Sequence, residues 1–486
     1  MFPDTIPNLI GSEPVLAGSG ERFEKRSPHN GERLSYVTRS QVADVAKAIA
    51  AAKAVQASWA EMPTVQRGHL LHQLCNHLEA HVDAIANVVA METGKSPKDA
   101  RGEAQGAIAL GRFFAGEGQR LYGRTTTSGT ANKYAMTLRK PCGIAGLIVA
   151  ANTPIANLAW KTFPALICGN SAVLKVPEDT PATGWLFGKL LMEAGLPKGV
   201  LNVIQGYGAE AGWALVDSPD INVLSFTGST AVGKQIAVHL APRLTKLSLE
   251  LGGKNPLIVC EDADIAHAVQ WICLSAFSNA GQRCAAGSRI IVVAAIYDRL
   301  VKALLDKIAT LKVGNSDADD FGPVINERQL NHMLAAIDDA KKAGATLLCG
   351  GHRLSDASHA KGYYLAPTVI EGVAMEAPIS TQELFGPVTA LYKANDYAHA
   401  LTLANHSPYG LTACIHTNNF DRATHFIHHV RAGVAVVNGG TFGSEPHMPF
   451  GGLGASGNGT REPGTEALDI YTDLKTVYLN VDTHKC

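Results

Sequence analysis

The chain has 486 residues, of which 46% are hydrophobic and 17% are charged, and its formal net charge at pH 7 is −1. This composition is that of a globular protein long enough for two or three domains. A near-neutral charge gives no electrostatic reason to expect nucleic acid or an anionic membrane as a partner. The nine cysteines have no C-x-x-C spacing, which favours reduced thiols and a cytoplasmic location.

The chain alternates between helical and strand-like patterns. Apolar residues recur at helical spacing through residues 41–121, which predicts a helical layer. Strand-like runs such as GIAGLIVA, AVLKV, VLNVIQG and INVLSFTG then alternate with helical runs, and a second series with this rhythm extends from about Asn255 to Val437. Short Val-, Ile- and Leu-rich strands separated by helices predict parallel sheets covered on both faces. Residues 123–140 and the C-terminal twenty residues are predicted to form strands outside both units.

The stretch FTGSTAVGKQ, residues 226–235, contains the spacing G-x-x-x-x-G-K of a nucleotide phosphate loop. That loop needs a Ser or Thr after the lysine to hold magnesium, and Gln235 occupies this position. Gly228 and Ser229 instead lie between a predicted strand and a predicted helix, where a backbone turn and a helix N-terminus favour a phosphate. The alternative is a strand-to-helix turn that binds no ligand.

The stretch LKVPEDTP follows an earlier predicted strand. Lys175 and Glu178 lie three residues apart there, so both side chains can reach one ribose. A carboxylate that accepts from the 2′-hydroxyl would repel the 2′-phosphate of NADP. The sequence therefore predicts NAD rather than NADP as the dinucleotide.

Two residues are candidates for the chemistry. Glu250 ends a predicted strand in LELGGKNP, and Cys284 follows a glycine-containing turn in NAGQRCAAGSR. A thiolate is a strong nucleophile, and a nearby helix N-terminus would lower the pKa of the thiol. The alternative is a buried, inert cysteine. No metal site is expected, because the histidines of HFIHH have no carboxylate or cysteine companion, and no G-x-S-x-G motif indicates a serine hydrolase.

Five motifs occur together in a characteristic order: FTGSTAVG, LELGGKNP, GQRC, QELFGPV and PFGGLGASG. In these the chain resembles the NAD(P)-dependent, hydrolytic branch of the aldehyde dehydrogenase superfamily over essentially its whole length. The resemblance implies an α/β fold with a Rossmann-like NAD-binding domain (residues 1–123 and 139–252) and a second α/β catalytic domain (253–452). It also implies a small β oligomerisation element (124–138 and 465–484), and hence a homodimer or homotetramer.

The resemblance also implies a role for each matching residue. Cys284 would attack the aldehyde carbon, and Asn152 would stabilise the oxyanion together with the Cys284 backbone N–H. Glu250 would activate the water that releases the acid from a thioester. The implied cofactor contacts are Lys175, Glu178, Gly228, Ser229, Glu383 and Phe385.

The substrate tunnel is expected to be lined by Thr153, Trp160, Ser278, Arg283, Glu445 and His447. Members specialised for succinate semialdehyde resemble one another in arginines near Trp160 and Ser278, and this sequence has neither arginine. Glu445 and His447 would suit a hydroxylated or charged aldehyde, or would lie in a solvated loop.

Two alternative functions have the same fold. A CoA-acylating dehydrogenase would pass the thioester to CoA, but those relatives typically have no glutamate at the position of Glu250. A non-catalytic binding protein with the same fold would have no need of Cys284, Glu250 and Asn152. The natural aldehyde is not evident from the sequence.

Overall fold

The structure is a computed structural model that describes residues 3–482 and residue 485. The ends of two predicted domains, residues 1–2 and 483–484, lie outside this range. The α-helices are α1 (Val42–Glu61), α2 (Thr64–Ala80), α3 (Val82–Thr93), α4 (Pro97–Glu117), α5 (Pro154–Ile167), α6 (Pro181–Glu193), α7 (Trp213–Asp217), α8 (Thr230–Leu240), α9 (Ile265–Phe277), α10 (Tyr297–Ile308), α11 (Glu327–Lys342), α12 (Pro378–Thr381), α13 (Tyr397–Asn405), α14 (Phe420–His429) and α15 (Ala467–Tyr471).

The strands are β1 (Thr5–Ile6), β2 (Asn8–Ile10), β3 (Glu13–Val15), β4 (Arg22–Arg26), β5 (Arg33–Thr38), β6 (Thr125–Thr127), β7 (Lys133–Pro141), β8 (Ile144–Ile148), β9 (Ser171–Lys175), β10 (Leu201–Ile204), β11 (Val223–Thr227), β12 (Lys246–Glu250), β13 (Asn255–Val259), β14 (Gly287–Val293), β15 (Thr346–Cys349), β16 (Thr368–Glu371), β17 (Val388–Ala394), β18 (Tyr409–Gly410), β19 (Thr412–His416), β20 (Val434–Val437), β21 (Leu453–Gly454) and β22 (Thr472–Asn480).

The first large sheet has seven strands in the order β12-β11-β8-β9-β10-β2-β3. The five strands from β8 to β12 are parallel, and β8, β9 and β10 are buried along their whole length. The chain moves outward from β8 through β9 to β10 and then returns to the other side of β8 with β11. Ligands bind at the carboxyl ends of strands beside such a reversal, here the ends of β8 and β11.

Helices α1 to α6 cover this sheet and contain the predicted helical layer. Ser96 caps α4 by accepting from the Asp99 N–H at 3.1 Å, and Pro97 occupies the first position, where its missing N–H costs nothing. The apolar faces of α2 to α6 pack with strands β8 to β10 into one core. The rigid core fixes where α5 begins, and α5 carries part of the site described below.

The second large sheet has the order β15-β16-β17-β14-β13-β19-β20, and only β15 is antiparallel to its neighbour. Its parallel strands begin at Asn255 and end at Val437, as the sequence predicts. The helix-covered α/β architecture is therefore confirmed in both halves. None of the helices in residues 3–482 is both long and apolar enough to cross a membrane.

A third sheet, in the order β22-β7-β6, stands apart from both. Strands β7 and β22 pair along nine residues, from Lys133↔Asn480 to Pro141↔Thr472. β7 continues to Pro141, three residues beyond the predicted limit of 138 for this element. Large apolar side chains on these strands are exposed: Tyr134, Leu138, Leu474, Tyr478 and Leu479.

Candidate active site

A cavity of about 930 Å³ lies where the carboxyl ends of the first sheet face the amino ends of strands in the second. Asn152 follows β8, Gly228 follows β11, and Glu250 ends β12. The second sheet contributes Cys284 before β14 and Glu383 before β17. The structure thus brings together predicted residues that are up to 231 positions apart in the sequence (383 − 152).

Cys284 lies at the end of a tight turn and not at a helix N-terminus. Asn279, Ala280 and Gly281 have φ values of 55°, 53° and 65°, a left-handed run that costs about 1–2 kcal/mol for a residue such as alanine. A Cβ on Gly281 would lie 2.1 Å from the Gly386 carbonyl oxygen, so no larger residue fits. The turn places the half-buried Cys284 against the cavity.

The thiol of Cys284 is neutral in this environment. Burial raises its pKa to about 12, and the nearby Glu383 and Glu250 carboxyl groups add to the rise. The backbone N–H groups of Ala285 and Cys284 act in the opposite direction but do not compensate. The helix-dipole activation considered from the sequence is therefore not present, and the nucleophile needs a proton acceptor.

The Asn152 carboxamide is held by neighbouring amides. Its Nδ2 donates to the Gln282 carbonyl oxygen at 3.0 Å, and its Oδ1 accepts from Asn157 Nδ2 at 3.1 Å. Asn279 Nδ2 donates both to the backbone oxygen of Asn152 and to that of Gln282. The loop after β8 and the turn before Cys284 are thereby joined beside the nucleophile.

Glu250 is almost fully buried, and neither carboxyl oxygen has a hydrogen-bond partner among residues 3–482. Burial raises its pKa well above the ordinary value, the Glu462 carboxylate raises it further, and Lys161 and Arg461 oppose the rise. Its backbone oxygen accepts from the Gly228 N–H at 3.1 Å. The general-base candidate therefore holds its proton more readily than an exposed glutamate does, and its backbone is hydrogen-bonded to the glycine loop.

A buried polar network lies behind Glu250. Lys161 Nζ donates to Glu462 Oε2 at 2.9 Å and to Ser225 Oγ at 2.6 Å, and Ser225 and Ser248 both donate to Glu462 Oε1. Both members of the ion pair are at most 1% exposed. Such a pair needs its extra hydrogen bonds to offset desolvation, and the two serines supply them.

The glycine loop has the geometry of an anion site rather than of an ATP loop. Ser229 caps α8, its Oγ accepting from the Val232 N–H at 3.4 Å, and Gly228 lies against the ring of Phe226, where a Cβ would be 2.4 Å from Cζ. Gly233 serves helix packing, since a Cβ there would lie 2.4 Å from Leu251. Lys234 is exposed on α8.

The other predicted cofactor residues are also positioned by local contacts. Lys175 is buried at the end of β9 and pairs with Glu178, Nζ to Oε2 at 3.2 Å. Glu383 accepts from the Gly253 N–H at 3.0 Å, and Phe385, at φ 59°, lines the cavity. Lys175 and Glu178 do not line this cavity; they lie at the carboxyl end of the neighbouring strand.

The predicted tunnel residues divide into two groups. Thr153, Trp160, Arg283 and Glu445 line the cavity. Ser278 and His447 do not, contrary to expectation: Ser278 Oγ donates to the Leu274 carbonyl at the end of α9, and the exposed His447 ring lies 3.5 Å from Glu445. Of the two polar residues expected from this loop, Glu445 therefore reaches the cavity and His447 does not.

Residues 15–477 match the family described as the aldehyde dehydrogenase family. The chain belongs to this family. The α-ketoglutaric semialdehyde dehydrogenase of Bacillus subtilis (strain 168) is 36% identical over 479 residues, 98% of each chain. Betaine aldehyde dehydrogenase from Staphylococcus aureus, solved with NAD+, has a TM-score of 0.95 and 31% identity over 98% of this chain and 95% of its own. An NADP-dependent enzyme of E. coli has a TM-score of 0.94 and 32% identity, with 98% of each chain covered.

Family membership confirms the predicted fold class and the predicted enzyme class. The protein is an aldehyde dehydrogenase, an oxidoreductase that converts an aldehyde to an acid with a nicotinamide dinucleotide through a cysteine adduct.

Sequence reasoning missed several residues of the aldehyde dehydrogenase site. Asn157 belongs to none of the five motifs, yet it contacts Asn152. Lys161 and Glu462 are 301 positions apart, and no local spacing links them. Lys95 and Glu103 form a buried ion pair in the tunnel wall, and their i, i+8 spacing across the start of α4 carries no motif.

The histidines of HFIHH lie on α14, away from the cavity, where the rings of His425 and His429 stack with centroids 3.9 Å apart. Cys260, Glu261 and Asp262 bring three ligand atoms within 4.8 Å of one another. Arg422 already pairs with both carboxylates, at 2.7 Å each. Neither group is connected to the aldehyde dehydrogenase site.

Proposed function

We propose that this enzyme oxidises an aldehyde to the carboxylic acid with NAD, using Cys284 as nucleophile, Asn152 as oxyanion donor and Glu250 as the base for hydrolysis. The observation that carries the proposal is their convergence on one cavity together with Gly228 and Glu383. The three chemical groups come from different strands and a separate turn, and a merely structural protein would not need this arrangement.

The first step joins Cys284 to the substrate. The sulfur attacks the aldehyde carbon and forms a thiohemiacetal, while the thiol proton passes to a water molecule in the cavity. Asn152 Nδ2 has one N–H on the Gln282 carbonyl and a second N–H without an acceptor among the described residues. This second N–H and the Cys284 backbone N–H are proposed to stabilise the oxyanion.

The residues fit a dinucleotide. Ser229 and the N-terminus of α8 would hold the pyrophosphate, Lys175 and Glu178 the adenosine ribose, and Glu383 the nicotinamide ribose. A Cβ on Gly252 would lie 2.3 Å from Glu383 Oε2, so a larger residue there would displace this carboxylate from its present position. NAD, when bound, would accept the hydride from the thiohemiacetal carbon, and the adduct on Cys284 would thereby become a thioester. The Glu178 carboxylate supports NAD over NADP.

The last step is hydrolysis of the thioester on Cys284. Glu250 would take a proton from water, and the attacking oxygen would displace the sulfur to give the acid. Its raised pKa makes it a stronger base once deprotonated, and the Lys161–Glu462 network lies beside it. The glutamate supports hydrolysis rather than transfer of the acyl group to CoA.

The tunnel supports an aldehyde that carries a carboxylate. Arg283 precedes the nucleophile, lines the cavity and stacks over Phe442, with Cζ 4.4 Å from the ring centroid. Its Nη1 is buried without a hydrogen bond, and no described carboxylate forms an ion pair with it. The nearby Glu103 is already paired with Lys95. A substrate carboxylate would satisfy Arg283, and the Bacillus subtilis relative is named for such a semialdehyde.

The assembly is proposed to be a homodimer or homotetramer. Cross-strand partners share a face, so Tyr134, Leu138 and Leu479 expose apolar surface on one face of the third sheet. Leu474 and Tyr478 do so on the other face. Contact with another subunit would cover these side chains. A cytoplasmic location is supported by the unpaired state of the eight described cysteines.

The domain division is also a proposal: residues 1–123 and 139–252 would bind the dinucleotide, 253–452 would carry the nucleophile, and 124–138 with 465–484 would form the oligomerisation element. The separate sheets support this division.

The test is NADH absorbance with a panel of aldehydes, with and without CoA. We expect NADH formation without CoA and none from the Cys284→Ala variant, whose NAD affinity should remain nearly unchanged. Turnover that requires CoA would identify an acylating dehydrogenase. A wild-type protein that binds NAD but oxidises no aldehyde in the panel would favour the non-catalytic alternative.

A further inference from the structure

Asn157 lies at the fourth position of α5 and reaches back toward the loop that carries Asn152. Its Nδ2 donates to Asn152 Oδ1 at 3.1 Å and to the Ala150 carbonyl oxygen at 3.0 Å. It is buried, and its own N–H donates to the Thr153 carbonyl at 2.9 Å within the helix. We infer that Asn157 is a positioning residue that fixes the Asn152 carboxamide for oxyanion stabilisation. This inference rests on the proposed role of Asn152.

The orientation of both carboxamides follows from their partners. The carbonyl oxygens of Ala150 and Gln282 can only accept hydrogen bonds, so each must face an amide nitrogen. Asn157 therefore points its NH2 toward Ala150, and Asn152 points its NH2 toward Gln282. The remaining polar contact then joins Asn157 Nδ2 to Asn152 Oδ1, with donor and acceptor correctly matched.

This contact has a chemical consequence at the reacting carbon. A carboxamide rotated by 180° would present an oxygen instead of an N–H to the developing negative charge. The Gln282 carbonyl opposes that rotation from one side, and Asn157 opposes it from the other because Oδ1 would lose the hydrogen bond that Asn157 donates. A donor that is already oriented needs no reorganisation during the reaction.

Asn157 acts through Asn152 rather than directly on the substrate. Both hydrogens of its Nδ2 are used, one on Ala150 and one on Asn152. Its Oδ1 is an acceptor and cannot stabilise an oxyanion. Its position one turn into a helix that packs in the main core makes it a rigid support.

A double-mutant cycle tests this inference. Asn157→Asp keeps the shape of the side chain but, when ionised, removes the donor and places an acceptor beside Asn152 Oδ1. We expect the single-turnover rate of NADH formation at saturating NAD and aldehyde to fall at least about tenfold, with the NAD dissociation constant unchanged. Asn152→Ala should reduce this rate about 10²–10³-fold, the scale for one oxyanion donor. The double variant should match Asn152→Ala within about twofold.

The matched control is Thr162→Val, because Thr162 is a buried residue of α5 whose Oγ1 has no partner. It should leave the rate unchanged. If Asn157→Asp does not fold, Asn157→Ser replaces it, since the shorter side chain cannot reach Asn152. The inference would be overturned if the Asn157 substitution reduced the single-turnover rate by the same factor in the wild type and in Asn152→Ala. It would also be overturned if the substitution reduced the rate in neither. An unaffected Asn152→Ala variant would instead refute the proposed oxyanion role.

Discussion

Oε1 of Glu250 lies 2.8 Å from the point that a Cβ would occupy on Gly451, so the carboxyl group fills space that only glycine leaves open. Neither oxygen of that carboxyl has a hydrogen-bond partner among the described residues. Burial raises the pKa of this carboxyl, and the nearby cations Lys161 and Arg461 oppose the rise. The proposed base for hydrolysis thus holds a proton more readily than an exposed glutamate does.

The raised pKa of Glu250 predicts a pH-dependent stability difference between the wild type and Glu250→Gln. Below the ordinary pKa of 4.5 the residue is protonated in both folded and unfolded chains, so the variant gains nothing. Above pH 4.5 the unfolded chain loses this proton, whereas the folded protein keeps it up to a higher pH. Relative to the variant, the free energy of unfolding of the wild type therefore falls by roughly 1 kcal/mol per pH unit until the pKa of the folded carboxyl is passed.

Thermal unfolding between pH 5 and 9 measures this effect. Relative to the wild type, the melting temperature of Glu250→Gln should rise with pH from pH 5 until the pKa of the folded carboxyl is passed. A constant difference across this range would show that the pKa of this carboxyl is not raised in the folded enzyme.

Glu178 predicts the choice of dinucleotide. NAD should give a higher kcat/KM than NADP, because the carboxylate accepts from the 2′-hydroxyl and repels a 2′-phosphate. Glu178→Gln should lower the ratio of kcat/KM with NAD to kcat/KM with NADP about tenfold or more. Glu193→Gln, at the exposed end of α6, is the matched control and should leave the ratio unchanged. Wild-type turnover with NADP equal to that with NAD would refute the assignment.

Arg283 predicts a preference for carboxylated aldehydes. The kcat/KM for α-ketoglutaric semialdehyde should exceed that for pentanal, and Arg283→Gln should reduce the former about 10²-fold, the scale for a lost charge-assisted pair. Pentanal oxidation should change much less, which separates substrate binding from damage to Cys284. An equal loss of kcat/KM with both aldehydes would show that Arg283 supports the turn before Cys284 rather than binding the substrate carboxylate.

The sequence predicted the parts of this enzyme that depend on local order. Gly228 lies between a strand and a helix, where a glycine suits a tight backbone turn. Glu250 ends a strand and therefore lies at the carboxyl edge of a sheet. The alternation of strands from Asn255 to Val437 likewise follows from periodicity.

The remaining features depend on contacts between distant segments. Cys284 follows a left-handed turn and precedes β14. The periodicity of the sequence does not distinguish this position from a helix N-terminus. The burial that raises its pKa comes from both sheets. Asn157 contacts Asn152 because α5 places the two side chains together, and His447 lies outside the cavity although Glu445, two residues earlier, lines it.

The third sheet predicts self-association. The wild type should be a dimer or tetramer by light scattering at micromolar concentration, and Leu138→Asp should yield smaller species by placing charge on the apolar face. Phe420→Asp is the control, since Phe420 is exposed on α14, away from that sheet. A monomeric wild type would contradict the proposed assembly.

The central claim is that the acid leaves the enzyme through a thioester on Cys284 that Glu250 helps to hydrolyse. The most direct measurement is rapid mixing of Glu250→Gln with NAD and aldehyde, followed by mass spectrometry of the peptide that carries Cys284. We predict a burst of about one NADH per site, a steady rate lower by two to four orders of magnitude, roughly the scale of a lost general base, and an acyl adduct on Cys284. Undiminished steady turnover, or a burst without an adduct on Cys284, would contradict the account.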